Sequence, residues 1–259
     1  MGTVSKALSL LGFFNQQQPE IGLSELARLS GMNKATVYRL MCELQDYGFV
    51  EQAGNGRAYR LGAEVLRLAA LREATVPVLS VSRAILDELS DATGETTHMS
   101  LVQGTQLNAL SHAYSPRHAT KVTMEDAEVL SFHATGSGLA ILAYSDPEFT
   151  DRILAAPLKA FTAATETDPR AIRERLHQIR LQGIAESIGG FEAEVHSYAV
   201  PIFSADGMPI GALAVAAPVS RMSESLKRVI RDKLRICAGE MIRKIGGAYP
   251  DDYPANEAA

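Results

Sequence analysis

"LSELARLSGMNKATVYRLMCEL", residues 23–44, places two short apolar-periodic segments on either side of Gly31. Ser24 is positioned to cap the first segment, which ends at Gly31, and Asn33 to cap the second, over about 34–46. Two helices joined by so tight a turn must approach closely. Ala27 is small where they cross, and Gly31 allows the backbone to turn. Met32, Val37 and Leu40 are apolar where the second helix packs back on the first. A helix-turn-helix requires this pattern.

Asn33, Lys34, Ala35, Thr36, Tyr38, Arg39 and Glu43 remain for the outer face of the second helix. All but Ala35 are polar or can hydrogen-bond, which suits a helix read against base edges in a major groove. Arg39 fits guanine or phosphate, while Lys34 and Thr36 fit phosphates near the helix N-terminus. Ser24 completes the expected DNA surface on the preceding helix. The competing reading is a plain helical hairpin with solvated charges.

Working outward, 4–14 (VSKALSLLGFF) has a helical apolar pattern, and 16–22 reads as a loop. After the pair comes "YGFVEQAGNGRAYRLG", in which FVEQ and RAYRL are strand-like around the turn AGNG. Three helices followed by a hairpin make a winged helix-turn-helix, with Arg57 on the wing reaching a phosphate or the minor groove. Residues 62–75 read as a connecting helix that stops before Pro77. The expected organisation is a DNA-binding domain over 1–61, a linker helix over 62–76, a second domain over 77–247 and a flexible tail over 248–259.

In the second part, helices are expected near 78–92, within 133–144, at 169–182 and at about 223–245. The last carries Leu226, Val229, Ile230, Leu234, Cys237, Met241 and Ile245 on one side. Strands are expected at 95–102, 106–113, 119–123, 195–203 and 209–217. The result is an α+β domain built on an antiparallel-rich sheet.

Composition agrees with two folded domains. The chain has 259 residues, 46% of them apolar, enough for substantial cores. No apolar run reaches the roughly 18 residues of a membrane span, and "FNQQQPEIG" is a poor signal-cleavage site, so a cytoplasmic protein is expected. Cys42 and Cys237 form no disulfide framework or zinc pattern. The net charge is −5, but residues 1–75 carry +1 and the remainder −6, so DNA binding must rest on the placement of a few cations.

"HATGSGLAILA" sets Gly136 and Gly138 around Ser137 at a helix start. Free amides of Gly136 and Ser137 there would hold a carboxylate. Alternatively, the glycines only let the helix start pack tightly against a strand. His98, His112, His118, His133 and His196 lie in the same domain, and some are candidates to line a pocket. His133 suits a structural hydrogen-bonding role at the helix start. A metal held by His98, His133 and His196 lacks any compact ligand spacing, so no metal or cofactor is expected. Enzyme readings lack support: "HATGSG" is not a G-x-S-x-G elbow, and no P-loop or dinucleotide fingerprint occurs. A winged helix that binds a protein partner instead of DNA would lose its basic residues, yet Lys34 and Arg39 are present.

These stretches together resemble the IclR-type bacterial transcription regulators over about residues 3–246. The resemblance is carried by "GLSELARLSGMNKATVYRLMCELQDYGFVEQ", "YRLG", "TGETTHMSLV", "FHATGSGLAILA", "RLHQIRLQGIA" and "YAVPIFSADGMPIGALAVAAP". It implies a winged helix-turn-helix, a linker helix and a GAF-like effector-binding domain. It also implies a homodimer or homotetramer on an inverted-repeat operator, most often as a repressor, with binding altered by a small carboxylic acid. The implied effector site comprises His98, Ser100, His133, Gly136, Ser137, Ser187, His196, Ser197, Ala214 and Ala216. In the family pattern an acidic residue follows a strand ending near Ala185, and hydroxyl residues stand at 214 and 216. Here Ser187 and two alanines take those places. Gly189 and Gly190 replace the usual acidic pair. The expected effector is therefore an acid with a larger or more apolar body than a small keto acid.

Overall fold

The computed structural model describes residues 2–15, 17–54, 58–75, 77–124 and 127–254. The chain divides into two compact units, Met1–Pro77 and Val78–Ala259.

The first unit contains α1 (Thr3–Leu11), β1 (Ile21–Gly22), α2 (Leu23–Ser30), α3 (Lys34–Asp46), β2 (Val50–Ala53), β3 (Ala58–Leu61) and α4 (Ala63–Thr75). Gly31 ends α2 at φ +66°, a left-handed conformation that costs glycine little. Leu10, Leu26, Val37, Leu40, Met41 and Leu44 make a core with Ile21, Val50 and Tyr59, and Ala27 and Met32 pack against it. The strands form an antiparallel sheet in the order β1-β3-β2, with Val50 opposite Leu61 and Ile21 opposite Tyr59. Short β1, in a stretch expected as loop, turns straight into α2. The helix therefore starts two residues earlier than expected. Its N-cap position is Gly22, and Ser24 lies within the first turn without capping it. Arg57 lies outside the described residues.

The second unit begins with α5 (Val78–Thr93), β4 (Thr96–Gln103), β5 (Gln106–Ala113), β6 (Val129–Leu130), α6 (Gly136–Tyr144) and α7 (Pro147–Ala155). It continues with α8 (Pro169–Gln182), β7 (Ala185–Ile188), β8 (Val195–Phe203), β9 (Pro209–Pro218) and α9 (Glu224–Lys244). Six strands form one antiparallel sheet in the order β6-β5-β4-β9-β8-β7. Helices α5 and α9 pack on one face, and α6, backed by α8, packs on the other.

Strand period two sends alternate residues to opposite faces. Thr97 thus donates its hydroxyl to the Leu86 carbonyl of α5, while the next residue, His98, faces α6. The segment 119–123, expected as a strand, has no ladder partner. Side chains hold its backbone instead: Thr96 donates to the Val122 carbonyl at 2.7 Å, Arg221 to Thr120 at 3.0 Å and Tyr114 to Met124 at 3.0 Å. Along α9, Val229 is exposed and Leu226 and Ile245 are half-buried, so the inner face is carried by Ile230, Leu234, Cys237, Met241 and Ile242.

The stretch expected as a flexible tail is held as far as residue 254. Tyr253 donates to the Gly183 carbonyl at 2.9 Å, Asp252 pairs with Arg180, and the Tyr253 ring packs on Tyr144 and Phe203.

Candidate functional site

One candidate surface lies on α3. Asn33 Oδ1 accepts from the Thr36 N–H at 2.8 Å, which fixes the helix start. Burial of Val37, Leu40, Met41 and Leu44 then dictates what faces outward. Lys34, Ala35, Tyr38 and Arg39 form an exposed stripe at i, i+4 spacing, with Thr36 half-buried beside it. Three other cations of the unit are paired with carboxylates: Arg28 with Glu25, Arg60 with Glu51, and Arg67 with Glu64. Lys34 and Arg39 have no ion pair among the described residues. Ser24, Lys34 and Tyr38 line one concave surface with Gln52 and Tyr59 of the hairpin strands. Cys42, one turn along, and then Tyr59 hold the Tyr38 phenol above its ordinary range, keeping it a neutral donor.

The second site is a pocket, partly open to solvent, on the α6 face of the sheet. His98 of β4, Ser197 of β8 and Ala216 of β9 line it from the sheet, and Thr135, Gly136 and Ser137 from the start of α6. Thr135 caps α6 by accepting from the Gly138 N–H at 3.0 Å. As first-turn amides, Gly136 and Ser137 N–H have no partner within the helix.

Two glycines here do different work. A Cβ on Gly138 would lie 2.3 Å from Phe132 Cα, so that residue lets the helix start pack against the preceding backbone. A Cβ on Gly136 would come 3.0 Å from Ser197 Oγ, at the pocket wall. Both sequence readings of the Gly-rich start thus have a physical basis.

His98 is 6% exposed, and its Nε2 lies 3.1 Å from Ser137 Oγ. Its Nδ1 is buried without a hydrogen-bond partner among the described residues. Burial, followed by the neighbouring His112, pushes its pKa down to about 4, so the ring is neutral at neutral pH.

Gly136, Ser137, Ser187, Ser197, Ala216 and His98 thus share this pocket, whereas four expected residues stand outside its lining. His196 is carried by strand alternation to the α9 face, where it meets Glu186 Oε1 at 2.7 Å and stacks on Tyr198. Glu186, which also accepts from Tyr198, lies on that same face. Burial tends to raise the Glu186 pKa, but the Tyr198 and His196 hydrogen bonds outweigh it and hold the carboxyl below its ordinary range.

His133 donates from Nε2 to the Lys159 carbonyl at 3.0 Å, leaving Nδ1 to accept from Ser131. Its role is the structural one expected. Ser100 donates to the Ala212 carbonyl at 3.4 Å, and Ala214 is fully buried farther along the sheet. Strand β7 begins at Ala185 instead of ending near it, which gives Ser187 its inward position, with its hydroxyl bonded to the Ala134 carbonyl at 2.9 Å.

The rest of the wall escaped sequence reasoning. Val122, Met124, Glu128 and Leu130 line one side, and Gly190, Phe191, Glu192 and Val195 another. They lie mostly on irregular segments, where no periodicity marks an inward face.

The pattern "Bacterial transcriptional regulator IclR C-terminal" matches residues 72–243, and "IclR helix-turn-helix domain" matches 3–54. A crystal structure of an IclR-type transcriptional regulator from Silicibacter sp. TM1040 is 64% identical, with a TM-score of 0.95, over 98% of this chain and 100% of that one. The transcriptional regulator XynR of Escherichia coli is 26% identical over 96% of this chain and 98% of its own length. An IclR homologue from Microbacterium hydrocarbonoxydans, crystallised with 4-hydroxybenzoate, shares the fold at 24% identity and a TM-score of 0.78, over 94% and 99% of the two chains. The winged helix, the antiparallel sheet domain and these matches lead to one conclusion: the chain belongs to the IclR family of DNA-binding transcriptional regulators and is not an enzyme.

Proposed function

We propose that this regulator is a repressor acting in the cytoplasm, and that a small organic acid bound beside α6 alters its affinity for an inverted-repeat operator. The amides of Gly136 and Ser137, without a hydrogen-bond partner among the described residues and at the lining of a pocket with a buried neutral histidine, carry this reading. A carboxylate there gains N–H donors and the positive end of the helix dipole. Val122, Met124, Leu130, Phe191 and Val195 offer apolar surface to the rest of the molecule, which favours a body larger than a small keto acid. The M. hydrocarbonoxydans homologue, crystallised with 4-hydroxybenzoate, offers a precedent for an acid of that size.

On DNA, Ser24, Asn33, Lys34, Ala35, Thr36, Tyr38 and Arg39 supply the reading surface, joined by Arg57 from the wing. A homodimer or homotetramer presents two such helices to successive major grooves. Helix α4 has no buried residue and exposes Leu66, Leu68 and Leu71, as expected of a helix completed by another copy. Effector binding shifts the placement of the paired DNA-binding domains, and a coupling of roughly 1–3 kcal/mol is enough for regulation.

The test is operator affinity with and without 4-hydroxybenzoate and related monocarboxylates, for the natural protein and Gly136→Ala. The added methyl crowds Ser197 Oγ at 3.0 Å, which a rotating hydroxyl can relieve, so the fold should survive. The natural protein should change operator affinity about tenfold, and the variant should bind DNA equally well but lose the response. A response that persists undiminished in Gly136→Ala would place the effector elsewhere.

A further inference from the structure

The six-stranded sheet has an edge at β7 and another at β6, and the two are finished differently. At β7 the Glu186 backbone carbonyl accepts from the Arg175 side chain of α8, which covers that edge. At β6 the Ala109 N–H donates to the Glu128 carbonyl at 2.9 Å, and Leu130 stands opposite Leu107. Ladder alternation then turns the N–H and C=O of Val129 away from β5. Neither has a hydrogen-bond partner among the described residues, and the Val129 side chain is exposed.

A groove runs from this strand to the end of α7 and the segment after it. Printed contacts hold its two walls together. Phe132 meets Phe149 of α7 edge-on at 5.5 Å, and His133 Nε2 donates to the Lys159 carbonyl at 3.0 Å. Ile153, Leu158 and Phe161 give the far wall apolar surface. Arg152 and Lys159 are the charged side chains among the described lining residues, and none of those residues is aspartate or glutamate. Arg152 has no ion pair among the described residues, and the Lys159 ammonium rests 4.9 Å over the Phe161 ring. The groove is thus a cationic strip within residues 76–259, whose net charge is −6.

We propose that this groove docks an extended acidic segment of a partner protein, added to the sheet beside β6. The segment bonds through its backbone to Val129, and its carboxylates meet Arg152 and Lys159. Alternate apolar side chains lie on Ile153 and Leu158. Main-chain bonds give such docking its affinity, and the side chains give it specificity.

The probe is a labelled short peptide alternating valine with glutamate, set against one alternating valine with lysine, in anisotropy titrations of the full-length protein. The glutamate peptide should bind about tenfold tighter, and added salt should narrow the gap. Arg152→Gln with Lys159→Gln, both at exposed positions, should erase the preference. N-methylation at every valine, or at every glutamate, removes the donors along one edge of the peptide strand. One of these two peptides should therefore bind about tenfold more weakly. Val129→Pro removes the outward N–H, which an edge strand tolerates. It should weaken the glutamate peptide and leave the sedimentation of the protein unchanged.

Failure of the glutamate peptide to bind at millimolar concentration would overturn the proposal. So would a preference that survives the double glutamine variant, or full binding by both N-methylated peptides. A smaller assembly in Val129→Pro would also overturn it, because a second copy of the chain would then occupy the groove.

Discussion

Arg221→Ala should destabilise the second unit by about 3–5 kcal/mol, the usual result of stripping a buried ion of its partner. Glu95, just before β4, has a side chain only 2% exposed, and Arg221 meets both of its oxygens at 2.6 Å. Their shared geometry is bidentate, the strong form of the pair. The Glu95 carboxylate in turn raises the Arg221 pKa, so the guanidinium stays charged. Its remaining nitrogen donates to the Thr120 carbonyl at 3.0 Å. The same arginine therefore ties down the segment that continues into Val122 and Met124 of the pocket wall. Denaturant unfolding of the single variant should show the loss, and Glu95→Gln with Arg221→Met should recover much of it. A loss under 1 kcal/mol in the single variant, about what an exposed pair contributes, would mean the pair is solvated.

The second large effect is acid sensitivity from His98. Its pKa falls from 6.5 to about 4 on burial. The unfolded chain therefore takes up a proton below about pH 6.5 that the folded domain refuses until about pH 4. Stability is unaffected above that window and declines through it as pH falls, by about 3 kcal/mol in total. His98→Gln retains a partner for Ser137 but does not titrate. Unfolding free energies from pH 7 to pH 4 should fall more steeply for the natural protein than for the variant. Parallel curves would show that His98 becomes protonated without cost. Over the same range Glu186, held below its ordinary pKa, adds stability that is lost only as pH falls into the carboxylate region.

Much of this architecture was legible because local chemistry and global packing agree. Asn33, Gly31 and the apolar spacing of Val37, Leu40 and Leu44 specify α3 without help from the rest of the chain, and it spans Lys34–Asp46 as expected. Helix α8, bounded by Asp168 with Pro169 and by Gly183, was equally readable. Helix α7 was missed although Asp146-Pro147 is a helix-start signal, because its apolar face is short.

The pocket was legible only in part. Ser137 was legible from the Gly-rich helix start, and Ser197 and Ala216 from the resemblance to the family pattern. His196 stands one strand step from Ser197, which turns it to the opposite face of the sheet. Phe191, Glu192 and Met124 enter through irregular segments brought together by tertiary contacts. Nothing local announces such positions.

The most direct measurement is fluorescence anisotropy of the purified protein on its own upstream intergenic DNA, against scrambled DNA at fixed salt, with Arg39→Ala alongside. Specific binding by the natural protein, weakened by about 1–3 kcal/mol in the variant, is the result expected if α3 reads bases. Specific binding that Arg39→Ala and Lys34→Ala both leave unchanged would contradict recognition through this helix.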